Sequence, residues 1–319
     1  MASIDIFNGD ADGLCALQQL RLANPKETTL VTGVKRDISL LKRVDAAEGD
    51  DVTVLDISLD KNREPLEALL AKGVNVRYFD HHFAGDIPKH ANLETHIDLS
   101  ADTCTSLIVN KHLKGAFSSW AVVGAFGDNF DNSARSAAQG LGLRDSQLDE
   151  LRELGICLNY NGYGATVGDL YFAPDDLAQR MRPFKTPMAF IKEGGEVFQT
   201  LSIGSKEDIA KAEGVKAESA SASVAVFIFP AEAWARRVSG VYGNQLATAN
   251  PERAHALLTQ LPQGGYVVSV RAPMNNKEGA DELCRSFPTG GGRKAAAGIN
   301  NLTEDLLDEF IDAFQTMYG

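Results

Sequence analysis

Short apolar runs alternate with helical stretches through the first hundred residues. Ile4–Phe7, Thr28–Thr32, Val52–Leu55 and Val74–Phe79 predict strands. Gly13–Leu22, Ile38–Ala47 and Lys61–Lys72 between them predict helices. Strand–helix alternation of this kind builds βαβ units, and with them a parallel sheet covered by helices on both faces. From Cys104 to Leu158 the pattern turns mostly helical, with Leu148, Leu151, Leu154 and Leu158 marking one face of a helix over Arg144–Leu158. Within that region the apolar stretch Ala121–Gly127 reads as one more strand end.

Prolines at 174, 183 and 187 punctuate the chain, and the pattern changes beyond them. This places a first domain at 1–183, a linker at 184–195 and a second, smaller domain at 196–319. In the second domain Val197–Ile203, Ser223–Phe229 and Gly265–Arg271 read as strands. Ala231–Thr248 and Leu302–Met317 read as helices, and Lys211–Ser223 as a short helix and loop. Both domains fall in the α/β class.

The strand ends of the first domain carry its candidate chemistry. Asn8-Gly9-Asp10-Ala11-Asp12-Gly13 follows the first strand. Asp56, Asp80-His81-His82 and Asp128 close the later apolar runs. An open parallel sheet gathers its strand ends on one edge, where ligands bind. These distant carboxylates and imidazoles therefore converge on one patch. Carboxylates that close together repel, and a divalent cation is the simplest resolution. Oxygen donors with an imidazole or two suit Mn2+, with Mg2+ or Fe2+ as alternatives. The absence of a thiolate argues against structural zinc. So many ligands exceed the needs of one ion. Two metals about 3.5–4 Å apart would clamp the attacking and leaving oxygens of a phosphoryl displacement. Plainer readings stand beside this one. Asp10, Asp12 and Asp56 can be helix caps, His81 and His82 a surface pair, and Gly127–Asn132 a turn.

Composition narrows the class. With 44% hydrophobic and 23% charged residues among 319, a normal packed core is expected. No apolar run approaches the roughly 18 residues a membrane span needs. The N-terminus lacks the basic region and apolar core of a signal peptide, so the chain reads as cytoplasmic. Cys15, Cys104, Cys157 and Cys284 are scattered and form no Cys-x-x-Cys, which fits buried small hydrophobes better than disulfides. A net charge of −12 repels long nucleic acids. The expected partners are a short nucleotide substrate and a second copy in a homodimer, with no long nucleic acid and no membrane.

Thr289-Gly290-Gly291-Gly292-Arg293-Lys294-Ala295-Ala296-Ala297-Gly298 is the other distinctive segment. Its glycines let backbone N–H groups approach an anion, and Arg293 and Lys294 add charge. The alanine run can start a helix whose N-terminus favours anions. The segment does not match the P-loop pattern, and its plainer reading is a flexible basic surface loop.

Asp10-x-Asp12, Asp56, Asp80-His81-His82 and Asp128, followed by Gly290-Gly291-Gly292-x-x-x-Ala296-Ala297-Gly298, resemble the DHH phosphoesterase superfamily. More narrowly they resemble the branch with a C-terminal DHHA1 substrate domain. That branch includes nanoRNase-type oligoribonucleases, cyclic-dinucleotide phosphodiesterases and RecJ-type exonucleases. The resemblance implies that Asp56 bridges two Mn2+ ions. Asp12, His81 and Asp128 complete the shell of one, and Asp10 binds the other. Many relatives add a histidine four residues before this aspartate; here that residue is Ile6, with Asn8 the nearest polar group. The resemblance makes Asp56, His82 and Asp80 the catalytic group, with His82 on the phosphate and Asp80 orienting a histidine. Arg271, in Ser269-Val270-Arg271, matches a substrate-contacting Ser-x-Arg strand end. Gly291, Gly292, Arg293 and Lys294 complete the substrate set, with Arg293 standing where relatives carry histidine. The implied activity is hydrolysis of short oligonucleotides, linear dinucleotides such as pGpG foremost, to nucleoside monophosphates by a two-metal-activated hydroxide. Exopolyphosphatase or pyrophosphatase activity, cyclic-dinucleotide hydrolysis and non-catalytic nucleotide binding are the alternatives.

Overall fold

Five parallel strands form the first sheet: β1 (Ser3–Phe7), β2 (Thr29–Val31), β3 (Asp51–Leu55), β4 (Asn75–Asp80) and β5 (Leu93–Ile97). Their order is β2-β1-β3-β4-β5. In the computed structural model, which describes all residues Met1–Gly319, this sheet belongs to a unit spanning Met1–Gly204. Side chains alternate across the pleat. Ile4, Ile6, Val52, Val54, Val76 and Tyr78 pack on Leu40, Leu41, Leu66, Leu69 and Leu70. Phe7, Leu55 and Phe79 face the other way, into a core built with Leu14, Val109, Trp120, Val123, Leu151 and Leu154. Strands buried on both faces read as continuous apolar runs, which is why β1, β3 and β4 were legible. The edge strand β5 is half-buried and carries no such run.

Several elements differ from their expected form. Ala121–Gly127 lies in a helix, Ser118–Gly127, not a strand. A Cβ on Gly124 would meet Ser106 Oγ at 2.4 Å, and one on Gly127 would meet Ala11 Cβ at 2.3 Å. The helix is pressed against its neighbours, and its residues from Trp120 to Gly127 are all buried. A helix buried all round loses its amphipathic stripe and looks like a buried strand in sequence. Ile38–Ala47 forms only a short 3-10 turn, Leu40–Arg43. Val197–Ile203 lies inside a long helix, Gly195–Glu213, and is not a strand. Pro174 and Pro187 open the helices Pro174–Met181 and Pro187–Glu193, where proline is favoured in the first turn. The stretch 184–195 therefore contains helix, and the two units divide between Gly204 and Ser205.

The second unit, Ser205–Gly319, holds β6 (Ser219–Ala220), β7 (Val224–Phe229), β8 (Ala254–Gln260), β9 (Tyr266–Arg271), β10 (Gly290–Arg293) and β11 (Ala296–Leu302). Their order is β10-β11-β9-β8-β7-β6, and only β7 and β8 run parallel, joined through the helix Ala233–Ala249. One face packs on Leu283, Phe287, Phe310 and Phe314, the other on Trp234, Val238 and Tyr242. The glycine-rich segment is a β-hairpin: Gly291 pairs with Gly298 and Arg293 with Ala296. The alanine run is therefore strand, and no helix N-terminus forms there. All four cysteines are buried, and none forms a disulfide. No helix is long and apolar enough to cross a membrane.

Candidate metal centre

The strand order β2-β1-β3 reverses direction between β1 and β3, and ligands bind at such switch points in open α/β sheets. Asp10 and Asp12 follow β1, and Asp56 follows β3. Asp80 is the last residue of β4, in register with Ile97 of β5. Asp128 arrives differently, at the C-terminus of the helix Ser118–Gly127.

Asp10 is buried and caps the helix Ala11–Ala23, its Oδ1 accepting from the N–H groups of Asp12 at 3.0 Å and Gly13 at 3.1 Å. The plain capping role of Asp10 is thus real and coexists with its place in the cluster. Asp12 is fully buried and accepts from the amides of Ser106 and Thr105 at 2.8 and 2.7 Å. These are orphan donors of the first turn of the helix Thr105–His112. Asp56 adopts a left-handed backbone with φ of 61° and accepts from Thr105 Oγ1 at 3.0 Å.

The histidines meet these carboxylates. His81 Nε2 lies 3.4 Å from Asp56 Oδ1 and 3.6 Å from Asp128 Oδ2. Asp12, His81 and Asp128 bring one ligand atom each within 4.8 Å of one another, as do Asp56, His81 and His82. His82 Nδ1 lies 2.8 Å from Asp80 Oδ1, so Asp80 orients His82. That hydrogen bond holds His82 above its ordinary pKa against the opposing effect of burial. The Phe130 ring packs edge-on to His81 at 5.8 Å.

The electrostatics of the cluster are unbalanced. Burial pushes the Asp56 carboxyl well above its ordinary range, and Asp10, Asp12, Asp128 and Asp80 push the same way. Burial and Asp10 raise Asp128 to about 6, with Lys35 pulling against them. Asp10 goes the other way: burial would raise it, but the charge and hydrogen bond of Lys35 hold it low. Five carboxylates thus share one fixed cation. Asp80 Oδ2 is buried without a hydrogen-bond partner. A set of crowded oxygens and an imidazole, short of positive charge, fits a divalent ion of the Mn2+ class. Asp12, Asp56, His81 and Asp128 would hold it.

Lys35 was not foreseen, and neither was its support. Its Nζ lies 2.7 Å from Asp10 Oδ2, 3.0 Å from Asp128 Oδ1 and 2.8 Å from Asn159 Oδ1. Asn159 and Gly162 sit at the end of the helix Asp145–Asn161 and position this lysine. His96 on β5 and His112 at the end of the helix Thr105–His112 meet edge to face at 4.6 Å and belong to neither of the two groups just described. His96 meets Glu94 at 2.6 Å and stacks on Phe79.

The expected substrate residues occupy the second unit. Ala296 is in register with Arg271 on one side and Arg293 on the other, which places the two arginines about 10 Å apart across β11. Arg271 is held by Asn244, Ser269, and the carbonyls of Val270 and Gly240. Lys294 pairs with Glu278 at 2.8 Å, and Arg293 is exposed. A Cβ on Gly290 would meet the Cys284 carbonyl at 1.7 Å, whereas Gly291 has open space around it.

No family model matches the chain, and no curated protein does. Solved structures do. An exonuclease RecJ bound to manganese is 17% identical, with a TM-score of 0.67 over 99% of this chain and 89% of that one. The DHH domain of a member of a family of ribosomal proteins is 13% identical, with the same TM-score over 99% and 86%. A pGpG-specific phosphodiesterase from Vibrio cholerae is 13% identical, with a TM-score of 0.58 over 99% and 98%. The fold is the one these RecJ and DHH-domain structures share, in keeping with the resemblance of the strand-end motifs.

Proposed function

We propose that this chain is a metal-dependent phosphodiesterase acting on short oligonucleotides, linear dinucleotides such as pGpG foremost, and releasing nucleoside monophosphates. The observation that carries the reading is the cluster at the β1/β3 switch point, where His81 lies 3.4 Å from Asp56 and 3.6 Å from Asp128 and shares a reach of 4.8 Å with Asp12, while burial and the neighbouring carboxylates hold Asp56 and Asp128 above their ordinary pKa. A divalent ion bound there supplies a lowered water pKa and neutralises charge on phosphoryl oxygens. Asp80 fixes His82 through Nδ1 and favours its protonated form, which leaves Nε2–H to donate to a phosphoryl oxygen. Asp56 and Asp12 are anchored by Thr105 and Ser106 and hold their positions without a ligand.

The substrate class draws on three supports. The net charge of −12 disfavours long polyanions. Arg271 and Arg293 flank Ala296 in register on neighbouring strands, so two guanidinium groups are available to a ligand with more than one phosphate. The fold shared with the Vibrio pGpG phosphodiesterase points the same way.

Incubation with Mn2+ and pGpG, pApA, an RNA pentamer, cyclic di-GMP, polyphosphate and pyrophosphate, with products resolved by chromatography, tests this reading. GMP from pGpG with little loss of pentamer is expected. Phosphate from polyphosphate with the nucleotides untouched overturns the substrate and keeps the metal centre. No turnover of any phosphoester overturns both.

A further inference from the structure

The DHH pattern expects two cation positions at this centre, and this chain departs from it in two linked ways. The residue four before Asp10 is Ile6, fully buried among Ile4, Val54 and Tyr78, so no imidazole reaches that side. Asp10 itself is already engaged at both oxygens. Oδ1 caps a helix and Oδ2 takes the Lys35 ammonium at 2.7 Å.

Lys35 is built into this place. An ammonium has three donors, and Asp10, Asp128 and Asn159 supply three acceptors at 2.7, 3.0 and 2.8 Å. Its backbone N–H donates to Gly162 O at 2.8 Å, and its carbonyl accepts from Asn8 Nδ2 at 3.3 Å. The Tyr163 ring lies 5.9 Å from Nζ. Gly162 is held against Asp10, since a Cβ there would lie 3.3 Å from Asp10 Cα. A divalent ion on Asp10 and Asp128 would have to share their oxygens with this ammonium at close range, where like charges repel.

We propose that Lys35 fills one of the two cation positions with its own ammonium, so that the chain takes a single divalent ion, on Asp12, Asp56, His81 and Asp128. The inference deepens the metal-dependent reading and rests on it for the presence of any ion. With its three donors committed to Asp10, Asp128 and Asn159, Lys35 acts as a fixed charge and not as a proton donor. It is a positioning residue for the neighbouring carboxylates.

The test is stoichiometry. Chelator-stripped protein is dialysed against graded Mn2+, bound metal is measured by elemental analysis, and the bound ion is examined by electron paramagnetic resonance. The expected result is one Mn2+ per chain with the six-line signal of an isolated ion. Two ions with an exchange-coupled multiline signal overturn the proposal and leave the metal-dependent reading standing. No bound Mn2+ overturns that reading itself. Lys35→Met should raise the stoichiometry from one towards two, and Lys35→Arg should stay at one. A folded Lys35→Met protein that still binds one ion removes Lys35 as the cause. Should Lys35→Met fail to fold, the wild-type count and signal decide alone.

Discussion

The two sheets present opposite chemistry from opposite parts of their architecture. The first gathers buried carboxylates in the turns beyond parallel strands and beside helix termini, and leaves them short of positive charge. The second carries cations on the ends of antiparallel strands, and there Arg271 is held by neutral acceptors, Asn244, Ser269 and two carbonyls. A parallel sheet delivers every strand end to one edge, so residues far apart in sequence meet there. An antiparallel hairpin places residues by register, so Arg271 and Arg293 meet the same Ala296. The difference separates a unit whose carboxylates crowd together from one whose cations stand at strand ends.

The strongest test of that division is Asp56→Asn. Loss of the carboxylate should lower Mn2+-dependent turnover by about 10³-fold or more. The metal-free protein should melt no lower than wild type, because Asn tolerates a positive φ and the change removes a charge repelled by its neighbours. An active Asp56→Asn protein would break the comparison at its centre.

One group in each metal-free unit should respond to acid with opposite sign. His255 is fully buried on β8, and burial, then Arg253, lowers its pKa to about 4. A histidine depressed in the folded state takes its proton first when unfolded. Its stabilising contribution is therefore complete above about 6.5 and is lost as pH falls towards 4, by up to about 3 kcal/mol. Asp128, raised to about 6, binds its proton more tightly when folded, so its contribution rises as pH falls through the same window. Hydrogen exchange resolved by unit, between pH 7 and 4, should show protection falling in 205–319 relative to 1–204. Parallel loss in both units would refute the opposed signs.

The smallest expected effect is in the second unit. Arg271→Ala should reduce kcat/KM on pGpG by roughly 10–100-fold, the range of a lost hydrogen bond to a charged group, with Mn2+ binding unchanged. Lys294→Ala, which removes an exposed pair with Glu278, should change kcat/KM by less than about threefold. Equal losses from both would merge two roles that the geometry separates.

What the sequence disclosed followed burial. Asp56 and Asp80 were legible because Val52–Leu55 and Val74–Phe79 are continuous apolar runs with an acid at the end. Asp128 was found through a wrong element, since a helix buried on every side has the same apolar pattern as a buried strand. The alanine run after Arg293 has helical propensity, but pairing with β9 and β10 overrides it. Lys35 could not be found at all. It lies in an irregular segment outside any motif, and its significance comes from Asn159, more than a hundred residues away.

The left-handed backbone at Asp56 has one more consequence. Glycine adopts that conformation without steric penalty, and a non-glycine residue there costs on the order of 1 kcal/mol. Asp56→Gly would also delete a repelled buried charge. Glycine at 56 would therefore relieve the backbone while erasing the centre, and would leave the buried Thr105 hydroxyl without this acceptor. The aspartate stands where robustness and activity make opposite demands, and a stabilised version of this protein would have to leave that position alone.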